Sequence, residues 1–468
     1  MDFQILKSTN PRVIAEYSAK LDVEQVRTLS EKAKPILGRL SYERFIFLMG
    51  SLASYGTNFT NNLDLIDNYF SIVGDLNVKL CLEDDLHRLF LRKYETEESY
   101  DAFYRLMQRH YATFPRSHNQ TDLKQSDIVF FVHSPVFLAH TNALFKLLEN
   151  RGRDQSRVTI CSMRYNEAFA RRCQDLNVTY KVFEDIKLSN AYNKFVDFAK
   201  FVDVVVWLSV PVHLSYVSRH LKNVILWSHK FHPNFTDILG AIGVDPMSRA
   251  TFTNSDRTWW HFESAFNVAN VKKEPNAWNK RKYRFASVCR EELIDNESHW
   301  KNVHDVLKCD TELQYYYCGR SPVHLKWCRS LRIPIERVNY VGWHAEPAEF
   351  IRDQMFLLDG PKLGHGLMAS EALCCGIPIV SPKSSYGNYK RLMLRLDEVG
   401  MSEEDVNQLK ETIFDEEYNL MEIVKKLSKK HTNDRLGKFS RQLFDKNFNG
   451  TNNFSDFKSL ICSIRSSQ

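Results

Sequence analysis

The chain has 468 residues, 43% of them hydrophobic and 26% charged. That length exceeds one compact core and predicts two or three domains, and the composition excludes a largely disordered chain. The net charge of +6, from 63 basic and 57 acidic residues, is spread along the sequence; it suits an anionic substrate and does not require nucleic acid.

The start, Met1-Asp2-Phe3-Gln4, lacks the basic-then-apolar pattern of a secretion signal. No run of about 18 apolar residues offers a membrane span. The ten cysteines form no C-x-x-C pair, which fits reduced thiols in a cytoplasm and leaves no zinc motif. Asn58, Asn119, Asn177 and Asn234 stand in Asn-x-Ser/Thr sequences, which carry no weight without a secretion signal.

To about Pro115 the pattern is helical. Asp22 and Gln25 read as a capping box before Val26, Leu29 and Ala33. Phe45, Leu48, Met49 and Leu52 make one apolar stripe, and Tyr100, Phe103, Met107 and Tyr111 another. Residues 1–120 are therefore expected to form an all-α domain, a surface that could also build a homo- or hetero-oligomer.

After a polar stretch, Arg116 to Asp122, short apolar runs alternate with helical patterns. The expected strands begin at Ile128, Val158, Val178, Val204 and Val224. The polar segment Val271 to Lys282, with Pro275 and a basic run, reads as a linker. A second basic run, Lys425 to His431, reads as a solvated helix face. Beyond the linker, strands are expected at Tyr283, Leu313, Val338, Met355 and Ile377. The fold class is therefore α/β, with Rossmann-like lobes over 121–275 and 276–440 and a helical tail over 441–468. Two such lobes face a cleft at the carboxyl ends of their strands.

The most informative segment runs from Leu358 to Val380, reading strand, glycine-bracketed loop, helix, turn, strand. Gly364 and Gly366 let the backbone approach a ligand, and His365 between them can reach it. The helix starting near Leu367 aims its free N–H groups and positive dipole end at the same place, a cradle for a diphosphate. Glu371 lies one to two turns along, where a carboxylate can accept two ribose hydroxyl hydrogen bonds. Gly376 caps the helix and Pro378 opens the next strand.

This segment resembles the donor-binding element of GT-B glycosyltransferases, and within them the O-GlcNAc transferase family, which includes cytoplasmic bacterial protein N-glycosyltransferases. The shared features are Leu358-Asp359, Pro361, the acid at Glu371, Leu373 and Gly376-x-Pro378-x-Val380. The family has aspartate where this chain has Glu371, and its phosphate-contacting histidine is offset by one from His365. Leu363 stands where many retaining GT-B enzymes carry a glutamate. Arg290, after the strand Phe285 to Val288, matches a family lysine that contacts the donor diphosphate, and a guanidinium can make that contact through two parallel hydrogen bonds. In the first lobe, Val132 to His140 resembles the family's first strand and loop.

The resemblance implies a UDP-sugar glycosyltransferase of GT-B fold, inverting and metal-independent, with a protein acceptor and a cytoplasmic location. Arg290, Gly364, His365, Gly366, Leu367, Glu371 and His344 are then the donor-binding candidates. Trp343 and His344 would flank the base. His140 and, behind it, His133 are the candidates for the catalytic base. His229, Lys230 and His232, after the last strong strand of the first lobe, are candidates for the acceptor side. The alternatives are a glycan or lipid acceptor, and a sugar-nucleotide-binding scaffold without chemistry. An epimerase would need cleft carboxylates that the sequence does not display.

Overall fold

The computed structural model describes residues 37–38, 40–54, 59–91, 97–114, 127–136, 139–149, 151–152, 157–228, 237–243, 260–261, 274–288, 294–319, 321–342, 347–360, 367–383, isolated positions from 402 to 408, and residues 411–415, 419–448 and 454–466. They divide into two compact units, the first made by Met1–Phe262 with Phe454–Gln468, the second by Glu263–Asn453.

The first unit opens with helices α1 (Tyr42–Ser54), α2 (Phe59–Ile72), α3 (Leu76–Leu89) and α4 (Glu97–Tyr111). Asp75 caps α3 by accepting from the Val78 N–H. The two predicted stripes are buried throughout: Phe45, Leu48, Met49 and Leu52 on α1, Tyr100, Phe103, Met107 and Tyr111 on α4. The capping box at Asp22 lies outside the described residues.

The chain then alternates through β1 (Asp127–Val132), α5 (Ala139–Glu149), β2 (Arg157–Ser162), α6 (Glu167–Asp175), β3 (Thr179–Val182), α7 (Leu188–Ala199), β4 (Val204–Leu208), α8 (Leu214–Val217), β5 (Val224–Ser228), β6 (Gly240–Gly243) and β7 (Trp260–His261). The strands form one parallel sheet in the order β3-β2-β1-β4-β5-β6-β7. Side chains alternate across it with the two-residue period of a strand. One face, with Val129, Phe131, Val205, Trp207 and Leu226, packs into a continuous core with α1–α4 and α7. The expected separate all-α domain is therefore corrected: the helices roof this sheet and share its core, because their stripes alone leave that face uncovered.

The opposite face, with Phe130, Val206, Leu208 and Trp227, packs against α5 and α6. It also packs against Phe454, Phe457, Ile461 and Ile464 of the last helix of the chain.

The second unit contains α9 (Trp278–Arg281), β8 (Arg284–Val288), α10 (Glu297–Lys308), β9 (Gln314–Cys318), α11 (His324–Leu331), β10 (Val338–Gly342), α12 (Pro347–Ile351), β11 (Phe356–Leu358), α13 (Leu367–Cys374), β12 (Ile379–Pro382), β13 (Ile413–Phe414), α14 (Leu420–Leu427) and α15 (Lys430–Phe448). The last helix, α16 (Phe454–Ser466), belongs to the first unit. The second sheet is parallel, in the order β10-β9-β8-β11-β12-β13. Phe285, Tyr315, Tyr317, Phe356 and Leu358 face α10 and α14, and Ala286, Val288 and Leu357 face α12, α13 and α15.

The segment read as a linker is corrected at its end. Arg281 is buried, donating to Asn433 Oδ1, to Asp434 Oδ1 at 3.0 Å and to the Asn276 carbonyl at 3.1 Å. Burial lowers its pKa, and the Asp434 carboxylate works against that shift. In the Lys425 to His431 run every residue except the buried Leu427 is exposed, as expected of a solvated helix face with one core contact.

Candidate functional site

Open parallel sheets bind ligands at the carboxyl ends of their strands, where the strand order reverses. In the second sheet the reversal falls between β8 and β11. There the Ser287 hydroxyl donates to the Leu358 carbonyl at 2.6 Å, locking the two central strands together. The next residue, Asp359, is fully buried. Its Oδ1 accepts the Gly360 N–H at 3.2 Å and its Oδ2 the Ser381 hydroxyl at 3.0 Å, joining the end of β11 to β12. The backbone leaving β11 is thus anchored where the glycine loop begins.

The predicted strand–loop–helix–turn–strand order is present. Helix α13 begins at Leu367 and ends at Cys374, and Gly376 follows it at φ +66°. The Ile377 N–H reaches the Ala372 carbonyl at 2.9 Å and the Gly376 N–H the Leu373 carbonyl at 3.0 Å, the paired bonds of a left-handed helix stop. Arg441 donates from Nε and Nη2 to the Cys374 carbonyl at 3.1 and 2.7 Å, placing a cation on the negative end of α13. Glu371 lies on this helix and is half-buried.

In the first sheet the reversal falls between β1 and β4. His133 follows β1 directly, and its Nε2 meets Asp84 Oδ1 of α3 at 3.2 Å. Ser209 and His213, after β4, both take positive φ, 78° and 63°. His213 is buried: its N–H donates to Glu83 Oε1 at 2.7 Å, Nδ1 pairs with the Tyr192 hydroxyl at 2.6 Å and Nε2 with the Leu80 carbonyl at 2.7 Å. Tyr111 donates its hydroxyl to Glu83 Oε2 at 2.7 Å. Burial pushes Glu83 up to about 8, against the pull of the Tyr111 and His213 donors. Burial and the neighbouring His133 push His213 down to about 3. His140 stands in the first turn of α5, half-buried.

Of the candidates read from the sequence, His133, His140 and Glu371 are described with their side chains, and Leu367 as the first residue of α13. Arg290, Gly364, His365, Gly366, Trp343, His344, His229, Lys230 and His232 lie outside the described residues. Arg290 follows the end of β8, and Gly364, His365 and Gly366 lie between the anchored Asp359 and α13 in sequence.

No protein-family model and no curated protein sequence matches the chain. Solved structures do. A mutant O-GlcNAc transferase from Thermobaculum terrenum superposes with a TM-score of 0.56 at 13% identity, covering 97% of this chain and 90% of that one. HepE from Anabaena, in complex with UDP-glucose, gives 0.52 at 14% identity over 73% of this chain and all of that one. A glycosyltransferase from Rickettsia africae gives 0.54 at 9% identity, over 73% and 99%.

The chain has the GT-B fold. In the O-GlcNAc transferase match, coverage of 97% necessarily takes in the N-terminal helices as well as both GT-B sheets. No described helix is long and apolar enough to cross a membrane.

Sequence reasoning missed Glu83, Asp84 and His213, which line the switch point of the first GT-B sheet. A signal for Glu83 was present: it sits at helical spacing with Leu80, Leu86 and His87, inside an apolar stripe where a carboxylate needs a partner. His213 had none, since its partners come from helices over a hundred residues earlier and from α7.

Proposed function

We propose that this chain is a cytoplasmic, metal-independent, inverting glycosyltransferase that moves a sugar from a UDP-sugar to a protein acceptor. The observation that carries the reading is the unit β11–loop–α13–β12 at the switch point of the second sheet. Asp359 fixes the start of its loop, and the N-terminus of α13 follows that loop. A helix N-terminus with glycines before it suits a diphosphate. Arg290 and His365 supply the cations that would stabilise the leaving group, and Glu371 the carboxylate for the ribose. The UDP-glucose bound to HepE and the transferase activity named for the Thermobaculum protein support the donor class. His140 and His133, near the carboxyl end of β1, are the bases available to the acceptor.

The test is a thermal-shift screen with UDP, UDP-glucose and UDP-GlcNAc, followed by assay of UDP release. A true donor raises the melting temperature of the full chain. Glu371→Ala and Arg290→Ala should each weaken UDP binding about tenfold or more, the loss of a charge-assisted hydrogen bond, while melting without ligand stays near the parent value. Unchanged UDP affinity in both variants would remove this donor site.

A further inference from the structure

We propose that Ser209 is a specificity-determining residue at the carboxyl end of the first sheet, its hydroxyl hydrogen-bonding the peptide acceptor. The inference rests on the glycosyl-transfer reading above and adds to it the loop that leaves β4.

Four non-glycine residues among those described take a positive φ: Asn177, Ser209, His213 and Arg332. Three of them have a reason inside the fold. Asn177 and Arg332 end helices α6 and α11. There the left-handed turn closes the Val178 N–H on the Cys173 carbonyl and the Ile333 N–H on the Cys328 carbonyl, both at 2.9 Å. His213 is held through its N–H and both ring nitrogens by Glu83, Tyr192 and Leu80. Ser209, at φ +78°, has no such reason in its side chain. Its N–H donates to the Trp227 carbonyl at 2.7 Å, and the next carbonyl, of Val210, accepts the Trp207 indole N–H at 2.9 Å. Both bonds use backbone groups of the loop, so glycine would keep them and carry no strain at that φ.

What serine adds is a hydroxyl. It makes no hydrogen bond to any described residue, and it is not one of the buried polar atoms left without a partner. The 5% of this residue that stays exposed therefore includes the hydroxyl. Hydroxyls on the segments that leave β1 and β2 are engaged within the protein: Thr141 donates to the Val136 carbonyl at 2.6 Å and Ser162 to the Arg164 carbonyl at 2.7 Å.

The position gives the open hydroxyl its meaning. Ser209 directly follows β4, one of the two strands between which the order of the first sheet reverses, and ligands of open parallel sheets bind at that end. A strained non-glycine residue persists where the surrounding structure over-determines it, and such residues gather at ligand clamps. Here the two tryptophans of β4 and β5 fix the backbone, and the side chain is left for a ligand. A hydroxyl both donates and accepts, which suits the amide and hydroxyl groups of a peptide.

Ser209→Gly separates a structural role from this one, because it relaxes the backbone and removes the hydroxyl together. The full chain is assayed with UDP-glucose and UDP-GlcNAc as donors and synthetic peptides bearing serine, threonine or asparagine as acceptors. Ser209→Gly should raise the melting temperature by about 2 °C. It should nevertheless raise KM for the peptide about tenfold, the loss of one hydrogen bond to a desolvated partner. Ser209→Ala should raise KM equally with no gain in melting temperature, since alanine keeps the strained φ. Ser209→Asn, which tolerates the left-handed region and keeps a donor and an acceptor, should recover part of the KM. The melting shift given by UDP should stay within about twofold of the parent value in all three, since UDP offers no acceptor group. A Ser209→Gly chain that keeps the parent's KM overturns the proposal, and so does one that melts below the parent. A loss of UDP binding as large as the change in KM overturns it too, because the residue then serves the donor. A parent chain that releases UDP from the donors but glycosylates none of the peptides overturns it and leaves the donor site standing. A parent chain that UDP does not stabilise and that releases none from either donor overturns both.

Discussion

Glu83 Oε1 accepts the backbone N–H of His213 across 2.7 Å, a bond between residues 130 positions apart that fastens α3 to the loop after β4. The carboxyl's other oxygen takes the Tyr111 hydroxyl from α4. Three segments that share no local sequence are thereby held by one buried side chain.

Removing that side chain should be costly. Glu83→Ala leaves the His213 N–H and the Tyr111 hydroxyl buried without an acceptor, a loss of about 2–4 kcal/mol. Glu83→Gln, which keeps an oxygen for His213 and can donate to the Tyr111 oxygen, should cost about 1 kcal/mol or less. Urea unfolding of the full chain, followed by tryptophan fluorescence, measures both.

The same pair gives stability a pH dependence with two limbs. Glu83 is raised from 4.5 to about 8 on folding, so its contribution is complete below pH 4.5 and lost as pH rises through about 8. His213 is lowered from 6.5 to about 3, so its contribution is complete above pH 6.5 and lost as pH falls towards 3. Between 4.5 and 6.5 the two slopes cancel, and stability from this pair is flat; it declines on either side. Melting temperatures of the parent and Glu83→Gln should diverge progressively from about pH 4.5 to about pH 8: up to about 6.5 the variant gains stability while the parent stays flat, and above that the parent alone declines.

In the second unit, α13 and α15 approach at two glycines. A Cβ added at Gly437 would lie 2.4 Å from the Gly376 carbonyl oxygen, which is backbone and cannot swing aside. Gly437→Ala should therefore destabilise by about 1–3 kcal/mol. Gly376→Ala should also destabilise, since its φ of +66° is strained for alanine and its Cβ would sit 3.2 Å from the Gly437 oxygen. Differential scanning calorimetry of both variants checks the pair.

Phe457 of α16 stacks on Phe130 at 5.8 Å and lies tilted against Trp227 at 4.9 Å, ring centre to ring centre. Phe457→Ala should cost about 3–5 kcal/mol, as a core deletion and not as the trimming of a tail. A chain ended at residue 453 should bind the dye ANS, reporting the uncovered face of the first sheet.

The central strands were legible because burial on both faces writes itself as an apolar run: Val204–Leu208 is wholly buried, and it begins at the expected Val204. β6 and β7 were not. Gly240-Ala-Ile-Gly243 lacks a branched run, and Trp260–His261 has two residues, too few for any period. β13, Ile413–Phe414, failed for the same reason. In the Leu358–Val380 segment the helix stop at Gly376 was readable because only glycine takes that φ without strain. The anchoring of Asp359 by Ser381 was not, since it joins two strands through side chains. The helices of the first unit were read as helices but not as the roof of a sheet, because a stripe states that a face is covered and not by what.

The return of α16 has a consequence for biosynthesis. Nascent chains leave the ribosome at about 5–20 residues per second, so on the order of ten seconds or more separates the emergence of Trp260 from that of Phe457. Throughout that interval Phe130 and Trp227 lack the part of their cover that α16 supplies, and the nascent sheet keeps apolar surface open to solvent. A translation stop anywhere in the second unit would strand it in that condition.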